Sequence, residues 1–242
     1  MSEQIEKDKI EKDKIYNCDC LEGMKHIPNA SIDLIVTDPP YILDNQGGGL
    51  YDKDKGAQYV KELADIKDGF QEAVLDECCR VMKKINIYVF CSQKQIIPLT
   101  DYFVTKRGCN WNLLSWHKTS VVPACGNKYL SDTEYCLFFR EKGVPLFGTF
   151  DTKSTYWLTA PNIEDKELWG HPTIKPLHIV RTLISNSSQD GQTVLDPFMG
   201  SGTTAVACIK EKRHFIGFEL NKDYYDKACR RIDAERRQLS LF

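Results

Sequence analysis

A chain of 242 residues with 42% hydrophobic content is long enough to bury its own core without disulfides or a structural metal. Its formal net charge of −2 argues against a protein that binds nucleic acid through a global basic excess. The ten cysteines form no Cys-x-x-Cys pair, so we expect reduced core thiols of a cytoplasmic protein and no metal. A metal site built from Cys18, Cys20 and a distant histidine is the alternative. The charged start and the lack of a long apolar stretch predict no membrane partner.

The order of elements predicts an α/β fold. Residues 1–13 are expected to form a charged, solvated N-terminal tail, and Ile-Glu-Lys-Asp-Lys occurs twice in succession at residues 5–9 and 10–14. After this tail, strands are predicted near 14–18, 32–37, 86–91, 111–117, 134–140, 193–196 and 214–218, with helices over 69–83, 177–185, 203–210 and 223–234. This alternation predicts a mostly parallel, seven-stranded sheet with helices on both faces, in one domain spanning residues 1–242. Ligands of such sheets bind at the carboxyl ends of strands.

The first chemical motif is Asp38-Pro39-Pro40-Tyr41, which directly follows the strand predicted at 32–37. The two prolines lack a backbone donor and keep the turn stiff, so the Asp38 carboxylate and the Pro39 carbonyl can face the same way. Two fixed acceptors beside the flat ring of Tyr41 suit the exocyclic amino group of a nucleobase taken out of its helix. A strand-ending turn with a solvated aspartate is the plainer alternative.

The second motif is a glycine-rich turn between the strand at 193–196 and the helix that begins at 203. Its sequence is Asp196-Pro197-Phe198-Met199-Gly200-Ser201-Gly202-Thr203-Thr204. Two glycines let the backbone approach a ligand closely, and the next strand ends at Glu219, whose carboxylate could accept both hydroxyls of a ribose. The motif therefore predicts a nucleoside-binding βαβ unit. Taken alone, it fits S-adenosylmethionine and a nicotinamide dinucleotide equally, and it lacks the Gly-Lys-Ser/Thr of a P-loop.

Together the two motifs resemble those of the DNA amino-methyltransferases, which transfer a methyl group from S-adenosylmethionine to an exocyclic nitrogen of adenine or cytosine. The catalytic motif precedes the cofactor loop, an order similar to that of the permuted β group of this family. The resemblance implies a Rossmann-like methyltransferase fold and double-stranded DNA with a flipped target base as the partner. It also implies catalytic roles for Asp38, Pro39, Pro40 and Tyr41.

Two further segments extend the resemblance. His171-Pro172-Thr173-Ile174-Lys175-Pro176 is similar to the family's His-Pro-Thr-Gln-Lys-Pro segment, with isoleucine in place of glutamine. The segment around Asp19 resembles the strand end that receives the adenine amino group of the cofactor. The resemblance thus implies S-adenosylmethionine contacts from Asp19, Asp38, His171, Pro172, Thr173, Lys175, Asp196, Pro197, Phe198, Gly200, Ser201, Gly202, Thr203, Thr204 and Glu219.

Irregular stretches mark the regions expected to contact DNA. Residues 44–60 follow the catalytic motif and are expected to act as a lid. Residues 141–170 stand where the β group carries target recognition, and form a short candidate insertion for that role. Either the recognised site is simple, or residues 44–60 and 119–133 contribute, or a second subunit of a homodimer does. Residues 103–153 carry seven Lys and Arg against four Asp and Glu, interleaved with aromatics, and form the candidate nucleic-acid face.

The resemblance implies a site-specific DNA methyltransferase of the restriction-modification kind that acts on adenine N6. Adenine is favoured because the family's cytosine enzymes more often carry serine where Asp38 stands. Cytosine N4 methylation is the nearest alternative, followed by an RNA amino-methyltransferase and by a non-catalytic DNA-binding module of the same fold. A nicotinamide-dependent oxidoreductase would explain the glycine turn but not Asp38 to Tyr41.

Overall fold

An eight-stranded sheet runs through the part of the chain that the structure, a computed structural model, describes: residues 10–41, 71–121, 127, 129–163, 168–169 and 174–239. The strands are β1 (Lys14–Tyr16), β2 (Leu34–Thr37), β3 (Asn86–Cys91), β4 (Asn110–Lys118), β5 (Thr133–Arg140), β6 (Tyr156–Thr159), β7 (Thr193–Asp196) and β8 (His214–Phe218). Their spatial order is β1-β8-β7-β2-β3-β5-β4-β6. Of these strands, β5 alone runs antiparallel to its neighbours. The sheet is therefore mostly parallel, as predicted.

Helices cover both faces of this sheet. They are α1 (Cys20–Met24), α2 (Glu72–Val81), α3 (Gln93–Thr100) with a π-helical continuation at Asp101–Lys106, α4 (Leu177–Ser187), α5 (Thr203–Lys210) and α6 (Lys222–Leu239). Successive strand residues point to opposite faces, so Ile35 packs with α1 and α2, whereas its neighbours Leu34 and Val36 pack with α4 and α5. Across the described ranges, no helix combines the length and apolar character that a membrane span requires.

The structure corrects the predicted organisation in two places. The sheet has eight strands and not seven, because the short edge strand β6 lies inside the candidate insertion 141–170. Its four residues alternate in exposure and give too short a pattern to be recognised as a strand. Asp13, the last residue of the predicted tail, is also bonded to the sheet: its backbone N–H donates to the Phe215 carbonyl (2.6 Å) and its carboxylate pairs with His214 (2.7 Å), while residues 1–9 lie outside the described residues.

One edge of the sheet collects the chemically important residues, and we call it the carboxyl edge because the parallel strands end there. Asp19, Glu219, Asp196 and Asp38 follow or end β1, β8, β7 and β2, which are adjacent in the sheet. Since β5 runs the other way, its amino end, with Glu134, lies at this same edge. The fold therefore places all four predicted acids together, beside a fifth that comes from the antiparallel strand.

Candidate active site

Asp38 follows the fully buried strand β2 and pairs with Lys175, which lies 137 residues further along the chain. Its Oδ2 accepts a hydrogen bond from Lys175 Nζ at 2.6 Å. Its Oδ1 is buried and makes no hydrogen bond within the described residues. Burial raises the pKa of the Asp38 carboxyl, and the Lys175 charge offsets only part of this effect. One oxygen of the carboxylate is thus engaged, and the other is a buried acceptor close to the Tyr41 hydroxyl, which opposes the rise in the Asp38 pKa.

Four side chains of alternating charge form a row that ends at Asp38. Lys118 Nζ lies 2.6 Å from Glu134 Oε1, and Lys175 Nζ lies 3.1 Å from Glu134 Oε2 and 2.6 Å from Asp38 Oδ2. Burial works against the charged forms of Glu134 and Lys175, but the neighbouring charges outweigh it, so the pKa of Glu134 is lowered and that of Lys175 is raised. The row therefore places each basic group beside an acidic one.

The proline turn is fixed from a neighbouring helix. Gln95 on α3 is buried, and its Nε2 donates to the Pro40 carbonyl at 3.2 Å. Its Oε1 accepts from the Ser92 backbone N–H at 2.9 Å, so both ends of the amide are held. The half-buried Tyr41 ring lies with its centroid 5.2 Å from Lys175 Nζ. Asp38 and Tyr41 are consequently held on a turn that is braced from two sides.

Asp196 braces the cofactor loop. Its Oδ1 accepts from Thr37 Oγ1 (2.9 Å) and the Phe198 backbone N–H (3.0 Å), and its Oδ2 accepts from Thr204 Oγ1 (2.7 Å). Burial raises the pKa of Asp196 to about 7, although these hydrogen bonds oppose the shift. The side chain thus ties β2, the turn and α5 together, and its predicted contact with a cofactor stays a prediction.

The glycine turn adopts a backbone shape that depends on its glycines. Gly200 and Gly202 have φ values of 53° and 84°, in the region that favours residues without a Cβ. The Gly200 backbone N–H donates to Glu219 Oε2 at 2.8 Å, and the Asn221 backbone N–H donates to Glu219 Oε1 at 2.8 Å. Burial raises the pKa of Glu219. The acid that ends β8 is therefore held directly against the turn.

Other predicted cofactor residues are placed around this turn. Ser201, Thr203 and Thr204 are buried, and Arg231 on α6 donates to Thr203 Oγ1 at 2.8 Å. Asp19 is exposed, and its Oδ1 accepts from the backbone N–H groups of Leu21 (2.8 Å) and Glu22 (3.2 Å) at the start of α1. His171, Pro172 and Thr173 lie outside the described residues, as does the predicted lid at 44–60.

Several residues of the site were not predicted from the sequence. Glu134, Gln95 and Arg231 each reach a predicted site residue from a different element, and Lys118 reaches Glu134. Each contact depends on tertiary packing, so the spacing of residues in the sequence does not predict it. The one usable signal was an acid at the start of a strand that otherwise reads as buried, at Glu134.

The candidate nucleic-acid face at 103–153 is divided between two edges of the sheet. Trp116 and Lys118 lie near the carboxyl end of β4, whereas Trp111 lies at its opposite end. Phe147, within the candidate insertion, is bonded through its backbone N–H to the Asn186 carbonyl near the end of α4, also on the far side. The described residues of 103–153 therefore do not all lie at the carboxyl edge, and the insertion returns to that edge through β6.

The strained glycine turn yields a testable prediction. A Cβ on Gly202 would lie 3.2 Å from the Ala228 Cβ, and its φ is unfavourable for alanine. We expect Gly202→Ala to lower the free energy of unfolding by about 1–2 kcal/mol and to weaken nucleoside-cofactor binding. Gly143→Ala is the matched control, because Gly143 has a similar φ of 86° on the far side of the sheet. Calorimetric titration that found equal cofactor affinity in both variants would contradict the loop's role.

Comparisons with known proteins agree with this geometry. A family model described as DNA methylase matches residues 32–230. The chain is 29% identical over 250 residues to the type II methyltransferase M.HinfI of Haemophilus influenzae, covering 90% of this chain and 67% of that protein. It is 28% identical over 238 residues to the type II methyltransferase M.HpaI of Haemophilus parainfluenzae, covering 89% and 72%.

Solved structures give the same result. The crystal structure of the M1.HpyAVI–SAM complex matches with a TM-score of 0.67 at 26% identity, covering 91% of this chain and 98% of that one. The PvuII DNA methyltransferase (cytosine-N4-specific) matches with a TM-score of 0.66 at 17% identity, covering 93% and 91%, which is a likeness of fold alone. The family model spans most of the chain and includes both Asp38 and the glycine turn. The protein therefore belongs to the N6/N4 DNA methylase family.

Proposed function

We propose that this protein methylates the exocyclic N6 amino group of adenine in double-stranded DNA, using S-adenosylmethionine. The observation that carries the proposal is the buried Oδ1 of Asp38, which makes no hydrogen bond within the described residues and lies near the Tyr41 side chain, whose hydroxyl is also without one. A buried acceptor without a donor costs about 1–3 kcal/mol, which a bound amino group would recover. A flat base that stacks on Tyr41 could present this amino group to Oδ1.

The residues of the carboxyl edge fit S-adenosylmethionine. Each oxygen of Glu219 accepts one backbone N–H, and a carboxylate oxygen retains a second lone pair that a ribose hydroxyl can use. Asp19 is exposed at the end of the adjacent strand, where it can accept a hydrogen bond from the amino group of the cofactor's adenine. When bound, this cofactor supplies an electrophilic methyl group. The M1.HpyAVI structure, at 26% identity, is described as a complex with it.

Asp38 is the residue that activates the exocyclic amino nitrogen of the target base. The lone pair of an exocyclic amino nitrogen is delocalised into the base, so the nitrogen is a poor nucleophile. A hydrogen bond from the amino group to Asp38 Oδ1 directs that lone pair outward. Positive charge then develops on the nitrogen as it is alkylated, and the carboxylate stabilises this charge more in the transition state than in the ground state. Because burial raises its pKa, Asp38 can also accept the released proton before passing it to water.

DNA would approach the carboxyl edge of the sheet. Segments that leave this edge after β4 and β6 carry exposed apolar side chains, including Tyr129, Ile163 and Leu168. Tyr129 is 99% exposed, and a free aromatic ring of this kind can stack on an unpaired base. We infer that these two segments, and not residues 141–153, contact the DNA around the flipped base.

Cytosine N4 methylation is the second candidate, since the same acceptors suit that amino group and the fold is shared with a cytosine-N4-specific enzyme. Adenine is favoured by the carboxylate at position 38, as the family's cytosine enzymes more often carry serine there. An RNA substrate and a non-catalytic DNA-binding role remain as the more distant alternatives, and the product of the reaction separates all four.

The test is to identify the methylated product. The purified protein is incubated with isotope-labelled S-adenosylmethionine and unmethylated double-stranded DNA, which is then digested to nucleosides for mass spectrometry. We expect labelled N6-methyladenine, whereas N4-methylcytosine would overturn the proposed base. A parallel reaction with RNA identifies an RNA enzyme. Absence of label in both nucleic acids, together with calorimetric binding of the cofactor, would instead support a non-catalytic module.

A further inference from the structure

We propose that Glu134 is a positioning residue, which holds the Lys175 ammonium against Oδ2 of Asp38 and so keeps Oδ1 free for the target amino group. The inference rests on the proposed methyl transfer and adds a residue that the motifs do not contain. It also assigns to Lys175 a role beside the catalytic carboxylate, where the resemblance implied a contact with the cofactor.

Glu134 reaches Lys175 from β5, a different element from the proline turn that carries Asp38. Lys175 Nζ lies 2.6 Å from Asp38 Oδ2 and 3.1 Å from Glu134 Oε2. The ammonium also lies 5.2 Å from the ring centroids of Tyr41 and Phe90. With aromatic rings nearby and a carboxylate at each end, its position is set by the balance of two attractions. Removing one carboxylate leaves nothing to stop the ammonium from moving across both oxygens of Asp38.

Charge balance accounts for the fourth member of the row. Lys175 is only 6% exposed, and a buried charge of this kind is stable only when it is paired. Two carboxylates on one ammonium would leave an excess negative charge. Lys118, 2.6 Å from the other oxygen of Glu134, removes this excess, and its ammonium lies 5.1 Å from the Trp116 ring centroid. The row is therefore a neutral unit built from β4, β5, the turn after β2 and the segment before α4.

Few other charged groups in the described structure influence the Asp38 carboxyl. Burial raises the pKa of Cys91 to about 12 and also raises that of Cys136, so both thiols are neutral. Burial and the Asp38 charge likewise raise the pKa of the Tyr41 hydroxyl. Asp196, whose pKa burial raises to about 7, lies outside the row and also responds to the Asp38 charge. Removing the negative charge of Glu134 and, separately, the positive charge of Lys118 should therefore shift the pKa of Asp38 in opposite directions.

The experiment compares Glu134→Gln and Lys118→Gln with the unmodified protein. Methylation of DNA is measured at saturating cofactor across pH 4.5–9, giving kcat and KM separately. For Glu134→Gln we expect kcat to fall about tenfold, because the acceptor is misplaced, with little change in the KM for DNA. We also expect the acid limb of the kcat profile to move to lower pH by up to about one unit, because a negative charge near Asp38 is gone.

Lys118→Gln should move that limb to higher pH, since a positive charge is removed. A purely structural role for the pair would lower the rate without shifts of opposite sign, so acid limbs that stay in place or move together would overturn the proposal. If Glu134→Gln fails to fold, the acid limb of the Lys118→Gln profile decides alone. An acid limb that stays in place in that variant would contradict the proposal.

Glu235→Gln is the matched control, because Glu235 pairs with Lys210 at the end of α5 that is remote from the carboxyl edge. It removes a half-buried acid–lysine pair and should leave the profile unchanged. The proposed function and this inference fail separately. If the unmodified protein transfers no methyl group to DNA, the function is wrong. If it does so and the variants behave like Glu235→Gln, only the role of Glu134 is wrong.

Discussion

Replacing Asp38 by alanine is expected to reduce the rate of methyl transfer to DNA by about 10³-fold or more, the size of effect that follows from losing a group aimed at developing charge. The substitution removes both the acceptor for the amino group and the charge that stabilises the alkylated nitrogen. Cofactor affinity should fall much less, because the glycine turn is held by Asp196 and Glu219. Single-turnover kinetics and calorimetric titration measure the two quantities separately.

Asp38→Asn provides the companion variant, since it keeps the shape of the side chain and removes only its charge. We expect it to be almost as inactive as the alanine variant while it folds more stably beside Lys175. Turnover near the unmodified rate in either protein would show that the carboxylate is not the acceptor. A loss of cofactor binding as large as the loss of rate would place Asp38 in binding and not in catalysis.

The second large effect is expected for Lys175→Met. Lys175 is buried and joins two carboxylates that come from different strands. Removing one partner of a buried ion pair costs about 3–5 kcal/mol, so the free energy of unfolding at pH 7 should fall by an amount in this range. Urea unfolding measures the change. Lys106→Met is the control, because Lys106 pairs with Glu72 on the exposed surface and should contribute little.

The pH dependence of the stability lost in Lys175→Met identifies the cause of that loss. Without Lys175, burial and mutual repulsion raise the pKa values of Asp38 and Glu134 in the folded state above those of the unfolded chain. The folded variant then holds more protons than the unfolded chain, so its stability falls as pH rises from about 4 through the raised pKa values. The deficit should therefore be larger at pH 8 than at pH 5. An equal loss of unfolding free energy at pH 5 and pH 8 would indicate that lost packing, and not the lost charge, causes the destabilisation.

Much of the fold and part of the site could be predicted from the sequence. Apolar runs such as 193–196 and 214–218 have the bounds of β7 and β8, because buried parallel strands are short and uniformly apolar. The acids at their ends were found for the same reason, since strand ends are visible in the sequence. The family resemblance drawn from these motifs is confirmed by the family model that matches residues 32–230.

What the sequence did not reveal depends on which strands become neighbours. Glu134 meets Lys175 only because β5 is inserted antiparallel beside β3. The hydrogen bonds of both Asp196 oxygens to Thr37 on β2 and Thr204 on α5 also depend on this packing and could not be predicted from the sequence. The strand β6 was missed because an exposed edge strand of four residues has no strong pattern of its own.

The strand order also determines when the sheet can be completed during synthesis. β2 lies between β3, which follows it closely in the chain, and β7, which pairs Val194 with Leu34. Among the described strands, β1 pairs with β8 alone, so Lys14 cannot pair until Ile216 has been synthesised. Contacts between such distant residues form slowly, and an N-terminal half that emerges first carries an apolar, unpaired strand edge. The glycine turn and its two flanking strands therefore complete the sheet core last, and the Asp38 site is finished only when that half has docked.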